Sequence, residues 1–256
     1  MHLPLLKQSI RMPFWAVILV TISVSVTFAS ETRSFDASWR FQLGDHGEAA
    51  AKLEFNDSKW EQVTLPHDWA ITGPFDPSVD GYAGKLPWKG VGWYRKTFNL
   101  GPDDQGKRVY FDFGAVMAHS RVFINGQLAG SWDYGYTSFR IDATDFVRFD
   151  APNVLAVEAD TRKWGTRWYP GAGIYRSVSM VIEDPVHFAH LGTFVRSETI
   201  YGQPDTHRVV ISGTIMNHTG QNEVAQVSIT ATTPDGQTVQ RLSTALPVDA
   251  CAENTL

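Results

Sequence analysis

Residues 167 to 176 read Arg-Trp-Tyr-Pro-Gly-Ala-Gly-Ile-Tyr-Arg, and they close a stretch that holds nearly half of the chain's tryptophan and tyrosine. Aromatic faces stack on the C–H faces of sugar rings, and Arg and Asp side chains bind the hydroxyls at the ring edges. Exposed Trp and Tyr otherwise invite aggregation, so a Gly-bent aromatic loop of this kind points to a ligand. Its chemistry points to carbohydrate.

Other chemistries find no support. The chain has no G-x-S-x-G for a nucleophilic serine. It has no H-E-x-x-H, and its eight histidines are scattered, so no zinc or other metal is expected. Gly171-Ala172-Gly173 opens a strand rather than a helix, which excludes a dinucleotide fingerprint, and no cofactor is implied. Hydrolysis of a glycoside with retention needs two carboxyl groups about 5–5.5 Å apart. Asn222-Glu223 begins an ordinary alternating strand. Asp103-Asp104 and Glu183-Asp184 sit in turn-like contexts where solvation is expected. No catalytic residue is therefore assigned.

The formal charge is −5 with a single cysteine, Cys251, which excludes a disulfide framework and a cysteine-based metal site. Nucleic-acid binders need basic patches, so nucleic acid is not an expected partner. The first thirty residues read separately. Lys7 and Arg11 make a basic start, Phe14 to Ala29 is apolar, and Thr27-Phe28-Ala29 offers small residues where a signal peptidase cuts. Residues 1–30 are read as a secretory signal cleaved near Ala29 or Ser30, rather than a membrane anchor, giving a secreted or periplasmic chain with no membrane partner after cleavage.

Strand signals dominate from Trp39 onward. Val109, Phe111 and Phe113 alternate with Tyr110 and Asp112. Asn125-Gly126 is a hairpin signal between Arg121–Ile124 and Gln127–Trp132. Val154–Ala159 and Ile174–Ile182 read as strands, and Ala143–Phe149 as a helical turn capped by Asp142 or Thr144. Thr64–Gly92 is an irregular insert rich in Pro and Gly that carries Trp69, Tyr82 and Trp88. It is read as functional, the alternative being a cover for a sheet edge. Glu183-Asp184-Pro185 breaks the pattern. A second strand series follows at His207–Met216, Glu223–Ala231 and Gln237–Leu242, with Ala225, Val227, Ile229 and Ala231 on one face. The resulting expectation is all-β: a signal at 1–30, a β-sandwich over 31–184, and an immunoglobulin-like β-sandwich over 185–256 that looks incomplete.

Six segments, taken in order, resemble the N-terminal region of glycoside hydrolase family 2, especially its β-galactosidases. They are Leu65-Pro66-His67-Asp68-Trp69, Gly92-Trp93-Tyr94-Arg95-Lys96-Thr97-Phe98, Val122-Phe123-Ile124-Asn125-Gly126, Gly135-Tyr136-Thr137-Ser138-Phe139 with Asp142-Ala143-Thr144, Asn153-Val154-Leu155-Ala156-Val157, and the segment 167–176. The resemblance implies a jelly-roll (galactose-binding-like) sugar-binding domain, then an immunoglobulin-like domain. A TIM barrel carrying two catalytic glutamates would follow in that family.

The resemblance also implies roles. Asp68 corresponds to a position that reaches into the active site and binds sugar hydroxyls, with Trp69 beside it. Arg167 and Trp168 lie on a loop that borders the same site. A turn or cap carboxylate stays open as the alternative for Asp68, and burial in the core for Trp168. Gly171 and Gly173 would permit a tight backbone path, and Arg176 would be an ion-pair residue. Two readings follow. In one, the chain is the non-catalytic N-terminal part of a secreted β-galactosidase-type hydrolase, inactive alone, whose partners are a β-glycoside or galactoside and a catalytic barrel. In the other, it is a stand-alone secreted carbohydrate-binding protein.

Overall fold

The computed structural model describes residues 9–11, 19–24, 30–79, 81–163, 168–200, 203–250 and 253–255. Strands β1 (Ser9–Arg11) and β2 (Leu19–Val24) precede β3 (Ser30–Ser34), β4 (Trp39–Leu43), β5 (Glu61–Val63), β6 (Val91–Phe98), β7 (Arg108–Phe113), β8 (Ser120–Ile124) and β9 (Gln127–Trp132). They are followed by β10 (Phe139–Asp142), β11 (Asn153–Asp160), β12 (Val178–Glu183), β13 (Val186–Ile200), β14 (Gln203–Asn217), β15 (Glu223–Thr232), β16 (Thr238–Val248) and β17 (Glu253–Thr255). The fold is all-β, as expected. Two compact units form, Glu31–Ile182 and Glu183–Leu256 together with Met1–Ser30.

The larger unit is a two-sheet sandwich. One sheet has the order β10-β7-β12-β3 and the other β5-β4-β6-β11-β8-β9. Both line a single core that includes Trp39, Tyr94, Phe111, Phe113, Leu155 and Met180. The alternation read for β7 is what buries Val109, Phe111 and Phe113. Asn125 and Gly126 both take positive φ, 53° and 85°, and pair Ile124 with Gln127 in a tight hairpin.

β6 and β11 are buried on both faces over most of their length, including the polar Arg95, Asn153 and Glu158. The second face is covered by the segment from Ala50 to Trp60, packed on Trp93, Phe123 and Ala156. Arg95 ties that cover down. Arg95 is 2% exposed, and its guanidinium does the binding. It pairs with Asp57 at 2.9 Å, donates to the carbonyls of Ala50 and Lys52, and lies under the Phe55 ring.

The short helical turn expected around Ala143–Phe149 is present: the Val147 amide reaches Ala143 O at 3.2 Å and Asp142 accepts from the Thr144 amide. One local expectation is corrected. The strand expected from Ile174 starts only at Val178, because residues 171–175 form the loop described below. One member of each acidic pair departs from the solvated expectation, while Asp103 is exposed as expected. Asp104 is 2% exposed and held by both Arg33 nitrogens at 2.8 Å, and that guanidinium keeps its carboxyl below the usual range. Glu183 is buried beside His187, 3.4 Å away.

In the second unit, one sheet has the order β1-β14-β13, with β17 also on β14, and the other β16-β15-β2. Val186, Ile215, Ala225, Val227 and Val248 share its core. Ala225, Val227 and Ala231 are buried as read, but Ser228 and Thr230 on the other face are buried too. Leu19–Val24, within the segment read as a signal, lies along β15. Among the described residues no helix is long and apolar enough to cross a membrane.

Arg95→Met should destabilise the chain by about 3 kcal/mol, because Asp57 and several carbonyls lose a forked, charged donor that no aliphatic side chain replaces. Arg95→Lys should recover only part of this. Urea unfolding followed by tryptophan fluorescence measures both, and a loss under about 1 kcal/mol for Met would contradict the role.

Candidate sugar site

The site is built on residues 171–174. The His67 amide donates to Ile174 O at 2.8 Å and the Trp69 amide to Ala172 O at 3.1 Å. From the other side, Met117 and Gly173 exchange two backbone hydrogen bonds of 2.9 Å. One short segment therefore holds both the 67–69 loop and the Met117 loop.

Only glycine serves at Gly171 and Gly173, whose φ values are 92° and 103°. A Cβ at Gly173 would fall 2.1 Å from Tyr94 Oη and 3.1 Å from the Trp69 ring. A Cβ at Gly92 would fall 2.5 Å from the same indole. Gly92 and Gly173 thus form a slot for Trp69, which stacks on Phe41 with centroids 6.0 Å apart. Its Nε1 is buried with no partner among the described residues. Trp69, expected to touch sugar, is half-buried in this slot, directly beside Asp68.

Asp68 Oδ1 accepts from Tyr169 Oη at 2.6 Å and from the Ala70 amide at 3.0 Å. Burial and the adjacent Asp68 charge push the Tyr169 phenol far above its ordinary range, so it stays a donor. Asp68 Oδ2 accepts no hydrogen bond from the described residues and flanks Gly171, where a Cβ would sit 3.6 Å away. The turn-carboxylate reading and the ligand reading therefore both find an oxygen: Oδ1 shapes the loop, and Oδ2 is left over for a hydroxyl donor.

Trp168 is 66% exposed, which removes core burial as its explanation. Arg167 lies outside the described residues. The 64–92 insert folds a small core of its own from Ala70, Ala83, Leu86 and Trp88 with Ala172, so much of it is scaffold for the Asp68 loop. Arg176 is exposed over the Tyr175 ring at 5.9 Å and has no ion pair among the described residues, contrary to expectation. Glu223 opens β15 opposite Val248, away from any paired carboxylate among the described residues.

No family model matches the chain. Over 223 residues it is 41% identical to the β-galactosidase BoGH2A of Bacteroides ovatus, a match covering 85% of this chain and 25% of that enzyme. The chain belongs to glycoside hydrolase family 2. It is also 30% identical over 192 residues to a β-glucuronidase of Formosa agariphila, covering 66% of this chain and 20% of that one. Among solved structures, the family 2 member from Bacteroides cellulosilyticus superposes with a TM-score of 0.79 at 30% identity, over 88% of this chain and 30% of that one. The β-glucuronidase of Bacteroides uniformis gives 0.78 at 26% identity, over 89% and 27%. The chain thus spans about a quarter of the length of the family 2 enzymes it matches, corresponding to their N-terminal portion.

Within this family 2 chain, three residues of the site escaped sequence reasoning: His67, Tyr94 and Tyr169. Each lies inside one of the six family-like segments, but nothing in linear spacing shows that residues 67, 94 and 169 meet. His67 Nδ1 is 2.8 Å from Tyr94 Oη, and its ring lies 4.6 Å from that of Phe41.

Burial holds the His67 imidazole below its ordinary range, against the opposing pull of Glu61 and Asp68. Its folded value is lower than its unfolded one, so the unfolded chain takes up the proton first as pH falls. Stability should be unaffected by His67 above about pH 6.5 and decline below it, until the folded value is passed. His67→Gln should flatten that part of the pH profile. Thermal melts between pH 5 and 8 check this, and identical profiles for the two proteins would contradict it.

Proposed function

We propose that this chain is the non-catalytic, sugar-binding N-terminal part of a secreted or periplasmic β-galactosidase-type glycoside hydrolase. The observation that carries the sugar contact is Asp68. Its carboxylate is fixed by Tyr169 and the Ala70 amide through one oxygen, while the other flanks Gly171 and takes no bond within the described chain. An ionised carboxylate with one committed oxygen is suited to accept from a sugar hydroxyl, and exposed Trp168 offers a face for the ring. The 31–182 sandwich corresponds to the jelly roll of the family resemblance. The relative at 41% identity is a β-galactosidase, which favours a β-galactoside as ligand.

In this reading the chemistry belongs to a barrel supplied elsewhere in the full enzyme, where two carboxyl groups perform a double displacement on a β-glycoside. Asp68 and Trp168 form one wall of its pocket, and Trp69 keeps Asp68 in place. Residues 1–30 act as the leader. Cleavage near Ala29 or Ser30 removes β1 and β2 and leaves the sandwich that holds the site whole.

The chain alone should bind methyl β-galactoside weakly and should not hydrolyse an aryl β-galactoside. Asp68→Ala should weaken that binding roughly tenfold, the yield of a hydrogen bond to a charged group. Titration followed by NMR measures the first, and release of the aryl group the second. Turnover abolished by Glu223→Gln, or unchanged affinity in Asp68→Ala, would overturn the proposal.

A further inference from the structure

Beside Asp68 stands a group of aromatic residues to which no role has yet been given. Gly135 rests on buried Met117: a Cβ there would fall 2.4 Å from Met117 Sδ and 3.4 Å from its Cα. Tyr175 Oη donates to Gly135 O at 2.7 Å. The backbone between Tyr134 and Tyr136 is therefore pinned from two directions. Their rings are 50% and 41% exposed and meet edge to face with centroids 5.6 Å apart. Trp132 extends the group. It is stacked on Phe139 and held by Thr137 Oγ1 at 3.2 Å from its Nε1.

This surface is continuous with the Asp68 site. The position a Gly171 Cβ would take lies 3.6 Å from the Tyr175 ring and 3.6 Å from Asp68 Oδ2. The ring and the carboxylate are thus the two flanks of one glycine. Charges of both signs border the aromatic group: Arg176 over Tyr175, and exposed Asp133 beside His119. Stacking platforms for nucleobases need a positive groove along the strand. Mixed charge on an acidic chain fits a neutral glycan instead.

We propose that Tyr134, Tyr136 and Tyr175 form a second sugar-stacking surface adjoining Asp68, so that the site takes an oligosaccharide spanning both rather than one terminal sugar. This rests on the reading of Asp68 as a sugar ligand. Tyrosine is well suited to such a surface, because each ring offers a flat apolar face and a polar tip and has few rotors to freeze. The backbone of these residues is fixed before binding, which reduces the ordering cost of each contact.

The test is fluorine NMR on the fluorotyrosine-labelled chain, titrated with methyl β-galactoside and with a β-linked galactotriose. Signals are assigned by single Tyr→Phe variants. Tyr169 should respond to both sugars, and Tyr134 and Tyr136 only to the trisaccharide. The trisaccharide should bind roughly fivefold tighter, the contribution of one stacked ring. The exposed double variant Tyr134→Ala/Tyr136→Ala should lose that gain and keep the monosaccharide affinity. A Tyr169 response without any at Tyr134 and Tyr136 would overturn the extended surface and leave the Asp68 reading standing. Silence at Tyr169 with both sugars would overturn both.

Discussion

The candidate site depends on one crowded contact, the approach of Gly173 to Tyr94 and Trp69. Its α-carbon has no room for a methyl group, and its φ of 103° suits no other residue. Because the backbone comes so close, its peptide can pair with Met117, and the adjoining carbonyls of Ala172 and Ile174 can receive the amides of Trp69 and His67. Asp68 lies between those two amides. Its position is set by backbone hydrogen bonds to a segment that is itself wedged against the core, which is firmer than a loop held by side chains alone.

The same contact explains the glycine and aromatic pattern of the chain. Trp69 needs Gly92 on one side and Gly173 on another, and Gly135 lets a loop settle on Met117. Large rings and missing side chains are complementary halves of one packing arrangement. Tyr134, Tyr136 and Trp168, by contrast, stay exposed to solvent.

Much of this was legible in the sequence, for physical reasons. Strands with alternating burial, such as β7, and a turn that demands positive φ, such as Asn125-Gly126, declare themselves locally. The all-β fold and the importance of Gly171 and Gly173 followed. Long-range relations did not. The bond from Tyr169 to Asp68 crosses 101 residues, and the pairing of Asp104 with Arg33 crosses 71, so neither leaves a periodic signature. β13, which runs from Val186 to Ile200, was missed because His187, His190, Arg196 and Glu198 interrupt its apolar pattern. Trp69 and Trp168 look alike in sequence, yet one is packed in a slot and the other exposed, because only the fold decides which of two nearby indoles meets a glycine.

The most direct measurement of the central claim is native-state hydrogen exchange at the amides of His67, Trp69, Met117 and Gly173. If the 171–174 segment holds both loops as one unit, the four amides should open with a common free energy that responds identically to denaturant. Independent opening, with His67 and Trp69 exchanging freely while Met117 and Gly173 stay protected, would show that the Asp68 loop is not fixed by this segment.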